Sequence, residues 1–227
     1  MKILVLAAHP DDEVIGCGAS IAKWASEGAK VYILILGSGV SSRYDISELN
    51  EPRVVADVQS LAAEAKQVAR VLGAVESEVI DRPCCRFDER SQLEITKDIE
   101  ARIEVVRPHI IYTHWAEDVN TDHGMVFKGV MAATRPVWDH RPSRILLWEN
   151  PSGTEWNTMG GFSPNWFAEI QDEHLQQKID ALRAYSGEIR EFPHSRSPEY
   201  LTALARVRGA AAGVPLAEAF CLFRQVS

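Results

Sequence analysis

Ile3-Leu4-Val5-Leu6-Ala7-Ala8 runs straight into His9-Pro10-Asp11-Asp12-Glu13, and the reading of the whole chain turns on that junction. Six consecutive apolar residues have the length and continuity of a strand buried on both faces. In an open α/β sheet, ligands bind in the crevice beyond the carboxyl ends of the strands. An imidazole and three carboxylates at that place make a candidate metal site, because nitrogen and carboxylate oxygen are donors that zinc and similar ions take.

The alternation continues downstream. Residues 2–8 read as a strand and 14–27 as a helix, with Ile15, Ala19, Ala22 and Ala25 on one face and Gly28 just past its end. A second apolar strand, 31–36, is stopped by Gly37-Ser38-Gly39, and the polar stretch 41–52 reads as a loop. A long helix over 53–72, a weak strand at 78–80 and a helix over 93–106 follow, the last ended by Pro108. Strands at 109–113 and 144–148 flank a short helix at 126–134. Strands alternating with helices predict an α/β fold, a mostly parallel sheet covered on both faces. Past residue 150 the pattern changes: Pro, Gly, Asn and Trp dominate 150–166, then helical stretches at 172–185 and 198–212 lead to Phe220-Cys221-Leu222-Phe223. Residues 151–227 read as a C-terminal elaboration of the 1–150 core within one domain.

Bulk composition narrows the function. A chain of 227 residues holds one substantial core, and 46% hydrophobic with 25% charged residues is ordinary for a globular protein. A net charge of -8 with no local basic cluster argues against a nucleic-acid partner. No run approaches the ~20 apolar residues of a membrane span, and the N-terminus lacks a signal peptide's cleavage site. Cys17, Cys84, Cys85 and Cys221 have no CxxC spacing and read as reduced thiols of a cytoplasmic protein.

A second cluster, His114-Trp115-Ala116-Glu117-Asp118-Val119-Asn120-Thr121-Asp122-His123, follows the fourth strand. In the common doubly wound order, strands 1 and 4 are neighbours at the point where the sheet reverses direction. Topology alone then brings the two His/Asp clusters together, and two histidines with one aspartate suit zinc with an open position for water. The plainer alternative is that Asp12 and Asp122 cap helices and the histidines lie at the surface.

These residues resemble a known family. Ala8-His9-Pro10-Asp11-Asp12-Glu13, Gly16-Cys17-Gly18 and Asp118-Val119-Asn120-Thr121-Asp122-His123 are similar to the motifs of the PIG-L (LmbE-like) zinc-dependent N-deacetylases. Leu72-Gly73, Arg86-Phe87-Asp88, Arg107-Pro108 and Ala217-Glu218-Ala219-Phe220 extend the likeness over most of the chain. The resemblance implies a Rossmann-like, three-layer αβα domain with one zinc per chain. It also implies a hydrolase that removes acetyl groups from N-acetylated amino sugars or sugar conjugates. His9, Asp12 and His123 match the zinc ligands, and Asp11 matches the general base. Glu13 matches a supporting carboxylate or a helix-start cap. Asp122 orients an imidazole or caps the next helix.

One position departs from the pattern. Several such deacetylases carry a histidine three residues before the last ligand, credited with stabilising the oxyanion; here that residue is Asn120. An Asn amide donates a hydrogen bond but cannot become cationic. His194, in Phe192-Pro193-His194-Ser195-Arg196-Ser197, is the candidate to supply the missing donor. Arg43, Arg53, Trp115 and Asp118 are the candidate substrate contacts. Trp148, Trp156 and Trp166 are expected to shape the C-terminal core or a homo-oligomer contact. Three further readings stand beside this one: a zinc amidohydrolase acting on a non-sugar N-acyl substrate, a non-catalytic Rossmann-like binder, and a metal-bound but inactive interaction module, which the presence of Asp11 disfavours. The binder lacks a GxGxxG turn after the first strand.

Overall fold

In the computed structural model, which describes residues 1–137, 139–151, 153–156 and 161–226, the opening apolar run is β1 (Lys2–Ala7). After it come α1 (Asp12–Ser26), β2 (Lys30–Ile35), α2 (Pro52–Val71), β3 (Glu76–Val79), α3 (Gln92–Val106), β4 (Ile110–His114), α4 (Thr121–Ala133) and β5 (Arg144–Trp148). The elaboration adds β6 (Trp166–Glu169), α5 (Asp172–Ala184), α6 (Pro198–Ala212) and β7 (Ala217–Gln225). The strands form one sheet in the order β3-β2-β1-β4-β5-β7-β6. β1 pairs in parallel with both β2 and β4, with Val5 opposite Tyr112. The loops after β1 and β4 therefore leave neighbouring strand ends, as the sequence predicts.

Alternate residues of β1 point to opposite layers. Ile3, Val5 and Ala7 pack with Leu61 and Val68 of α2 and Leu182 of α5. Leu4 and Leu6 pack with Ile95 and Ile99 of α3 and Val126 and Val130 of α4. Burying each large aliphatic side chain contributes roughly 1.5–3 kcal/mol. With both faces covered, the mostly parallel α/β sheet matches the expected three-layer fold.

Three details differ from the sequence reading. The terminal apolar run is part of a nine-residue strand, β7, antiparallel to β5 and β6, so the elaboration extends the sheet. β6 escapes detection because it has four residues, of which only Ala168 is buried. α4 starts at Thr121 rather than 126, because Asn120 Oδ1 accepts from the Asp122 amide and caps it.

The elaboration also reaches the helix that carries the first motif. α1 is broken at Cys17, whose backbone (φ -149°, ψ 22°) is non-helical. A break strands a carbonyl before it and amides after it. Lys178 Nζ of α5 donates to the Ile15 carbonyl (2.7 Å), and Glu218 of β7 accepts from the Ala19 and Ser20 amides (3.2 and 2.7 Å). The two side chains pair with each other at 2.6 Å, both buried. Gly16 is needed at the same place: a Cβ there would lie 2.3 Å from the Trp148 ring.

Candidate active site

Asp11 starts α1 in an unusual way. Its φ of 113° is rare for a residue with a Cβ, and such positions cost of order 1–3 kcal/mol. The Asp11 amide donates to Glu13 Oε2 (3.1 Å), and Glu13 in turn accepts from the Tyr185 hydroxyl (2.5 Å). Glu13 is thus a buried brace behind the turn, and burial pushes its carboxyl up to about 7 against the hydrogen bond from Tyr185. The strained turn lets His9, Asp11 and Asp12 leave one strand end in different directions.

His9, Asp12 and His123 converge. Asp12 Oδ2 lies 3.3 Å from His9 Nδ1 and 3.3 Å from His123 Nε2. Two donors bound at zinc distances with a tetrahedral angle between them sit about 3.3 Å apart. Each histidine is backed by a carboxylate on its far nitrogen. His9 Nε2 donates to Asp122 Oδ2 (2.8 Å), and His123 Nδ1 faces Asp118 Oδ1 at 3.1 Å. Those contacts select the tautomers that turn the other nitrogen's lone pair inward. Both ring nitrogens of His123 are buried without an aligned hydrogen-bond partner; Nδ1 faces Asp118, and Nε2 faces the Asp12 oxygen at the centre, where an ion would satisfy it.

The electrostatics fit the same conclusion. Burial opposes a charged His9, but hydrogen bonds to Asp12 and Asp122 outweigh it and hold the imidazole well above its ordinary value. Burial opposes a charged His123 too, yet Asp12 and Asp118 push it up to about 9. Against its own burial, Asp12 is held well below the usual carboxylate range by His123 and His9. The carboxylates call for positive charge, and a divalent cation on these three donors would provide it. Cys85 brings its thiol within 4.8 Å of His9 and Asp122 on the outer side of the cluster.

The supporting shell is dense. Asp122 also accepts from the Cys85 and Phe87 amides (2.5 and 3.2 Å), tying the 84–89 segment to the site. Asp118 accepts from the Thr154 hydroxyl (2.9 Å) and the Asn120 amide (2.9 Å). Asn150 Nδ2, just past β5, donates to Asp12 Oδ1 (2.8 Å), while Oδ2 accepts from the His9 amide (2.8 Å) and faces the centre. His114 ends β4 fully buried, accepts from the Ala8 amide (2.9 Å) and stacks on His123 at 4.0 Å. Burial, then the charge of His123, keeps it neutral.

A cavity of about 240 Å³ opens onto this cluster, lined by His9, Asp11, Arg43, Asn120, Glu188 and Arg196 among others. A larger groove on the α3–α4 surface, about 400 Å³, shares no residue with the site. The structure does not bring His194 to the cavity. It is exposed, and its Nδ1 accepts from the Arg196 amide (3.1 Å), so it braces the turn that presents Arg196. Of the expected substrate contacts, Arg43 lines the cavity and pairs with Glu188. Arg53 points outward to Glu48 and Glu51, and Trp115 packs edge-on against Phe162. Asp118 is taken up behind His123. Trp148 is fully buried, Trp166 packs on Trp24 and Phe220, and Trp156 is exposed. Sequence reasoning passed over Arg196, Glu188, Asn150 and Tyr185. Ser197-Pro198, a helix-start pair, was the one local sign that Arg196 sits at a turn.

With this geometry in hand, comparison with known proteins settles the kinship. The family model described as PIG-L, GlcNAc-PI de-N-acetylase, matches residues 4–134. The chain belongs to the PIG-L family. Among curated proteins it is 26% identical over 191 residues to the uncharacterized deacetylase YaiS of Escherichia coli, covering 81% of this chain and 89% of that one. Among solved structures it is similar to the N,N'-diacetylchitobiose deacetylase of Pyrococcus horikoshii, with a TM-score of 0.76, 19% identity, and 98% and 83% of the two chains covered. The hydratase GalB of Pseudomonas putida shares the fold as well, with a TM-score of 0.79, 21% identity, and 100% and 98% covered. A PIG-L-like fold therefore does not dictate one reaction, and function has to be argued from the site.

Proposed function

We propose that this PIG-L protein is a zinc-dependent hydrolase that removes the acetyl group from an N-acetylated amino sugar or sugar conjugate. The observation that carries the reading is the convergence of His9 Nδ1, Asp12 Oδ2 and His123 Nε2 next to a cavity whose wall holds the carboxylate of Asp11, which ligates nothing in that cluster and is paired with Arg196. The family's description names a GlcNAc-containing substrate, and the Pyrococcus relative by fold acts on diacetylchitobiose.

His9, Asp12 and His123 would hold the ion. When bound, zinc supplies Lewis acidity towards an amide carbonyl and towards water. Asp11, which is in the cavity wall, takes the proton of the attacking water and returns it to the departing amine. Asn120 has its carbonyl oxygen committed to the Asp122 amide, which leaves its NH₂ group to donate to the oxyanion. Asp118 and Asp122 keep the two imidazoles in register throughout.

A cytoplasmic setting is part of the proposal. It is supported by four free cysteines and by the lack of any helix, among the described residues, long and apolar enough to cross a membrane. Self-association through the Trp-rich C-terminal region, where Trp156 is exposed, completes it.

The test is amine release from a panel of N-acetylated sugars, nucleotide sugars and pseudo-disaccharides, alongside non-sugar N-acyl amines. Chelator-sensitive release from the sugars supports the reading. Release only from non-sugar amides would move the substrate class, and no release from a zinc-loaded enzyme would refute hydrolysis.

A further inference from the structure

Arg196 enters the cavity from the turn just before α6, far along the chain from either motif. Its Nη2 lies 2.8 Å from Asp11 Oδ2 and its Nη1 2.7 Å from Glu188 Oε2, while Arg43 contacts the other Glu188 oxygen. The result is a line of alternating charge, Arg43–Glu188–Arg196–Asp11, across the cavity wall. Among the described residues, Arg196 is the one cation in ion-pair contact with Asp11.

Asp11 needs such a partner. Its backbone is strained at φ 113°, and Asp12 and Glu13, both buried, follow it directly in the chain. Neither neighbour attracts a carboxylate. Its amide is tied by Glu13, but that contact leaves the side chain free to turn. The guanidinium, hydrogen-bonded through Nη1 to Glu188, presents Nη2 to Asp11 as an ion pair and so draws the carboxylate to one side of the cavity. The backbone of the turn is held in place by His194 Nδ1 and by the Ser197 cap on α6.

The geometry points to Arg196 as the positioning residue for the general base, aiming the Asp11 carboxylate at the reacting water. The role rests on the deacetylase reading for its chemistry but not for its structural readout. Misplacing a reacting group by about 1 Å costs about 10²-fold in rate. Arg196→Ala should therefore lower kcat by about 10²-fold with KM within about threefold and with metal content unchanged. Arg196→Lys, which keeps the charge but not the fork, should fall between, and added guanidinium should restore part of the Arg196→Ala loss. His194→Ala, which loosens the turn and keeps the guanidinium, should cost less than Arg196→Ala. A crystal structure of Arg196→Ala should show the Asp11 carboxylate turned from its present direction. An unmoved Asp11, an unchanged kcat, a rise in KM alone, or equal losses in the two alanine variants would overturn the assignment. If the wild type hydrolyses nothing, the deacetylase reading fails, while the position of Asp11 in the variant still decides whether Arg196 holds it.

Discussion

Replacing Lys178 with Met keeps most of the side-chain length and removes only the ammonium. The structure assigns that ammonium two tasks: it pairs with Glu218 at 2.6 Å and satisfies the Ile15 carbonyl at 2.7 Å, with Lys178 and Glu218 only 5% and 7% exposed. Breaking a buried pair from one side costs about 3–5 kcal/mol, because an uncompensated charge stays behind. Glu218 still accepts from the Ala19 and Ser20 amides, so the lower end, about 3 kcal/mol, is expected. With a urea m-value of roughly 2–3 kcal/mol/M, the unfolding midpoint should drop by about 1–1.5 M. Adding Glu218→Gln to Lys178→Met should cost less than the sum of the two single changes, since the double variant leaves no stranded charge. The break in α1 lies one turn past Asp12, so the same variant should also bind metal less tightly. Urea denaturation followed by circular dichroism measures the first effect. A Lys178→Met protein within about 0.5 kcal/mol of wild type would refute the claim that this pair holds the broken helix.

Three further outcomes follow from the site. Asp11→Asn should keep its metal and lose turnover, whereas His123→Ala should lose both; metal analysis beside an amine-release assay separates them, and the opposite pattern would exchange the two roles. Asp118→Asn, which weakens the carboxylate behind His123, should reduce metal affinity about 10–100-fold, read by competition with a chromogenic chelator. Gly16→Ala forces a methyl to within 2.3 Å of Trp148 and should destabilise by about 1–3 kcal/mol in thermal or urea unfolding.

The core and the convergence of His9, Asp12 and His123 were legible in the sequence because each rests on local signals that topology then joins. An unbroken apolar run identifies β1, and the strand–helix alternation places β4 beside it, so the His9 and His123 loops had to meet. The supporting shell was less legible. Asp122 was expected to orient an imidazole or to cap the next helix; its hydrogen bond to an imidazole is to His9, on the loop after β1, rather than to the adjacent His123. Asp118 was expected among the substrate contacts, yet it faces His123, the third residue of α4. His194 drew attention as the residue type suited to proton chemistry. The turn it stabilises presents Arg196 instead, a choice set by backbone direction that no residue spacing encodes. β6 was hidden for a similar reason: four residues, only one of them buried, acquire strand structure by pairing with β7.

The most direct measurement is the zinc content of the protein purified without chelator, by plasma mass spectrometry, against the His9→Ala, Asp12→Ala and His123→Ala variants. The wild type should carry about one zinc per chain, held where His9, Asp12 and His123 converge, with a substantial loss in each variant. Wild-type protein that neither carries nor takes up zinc, or variants that retain it in full, would contradict the central claim.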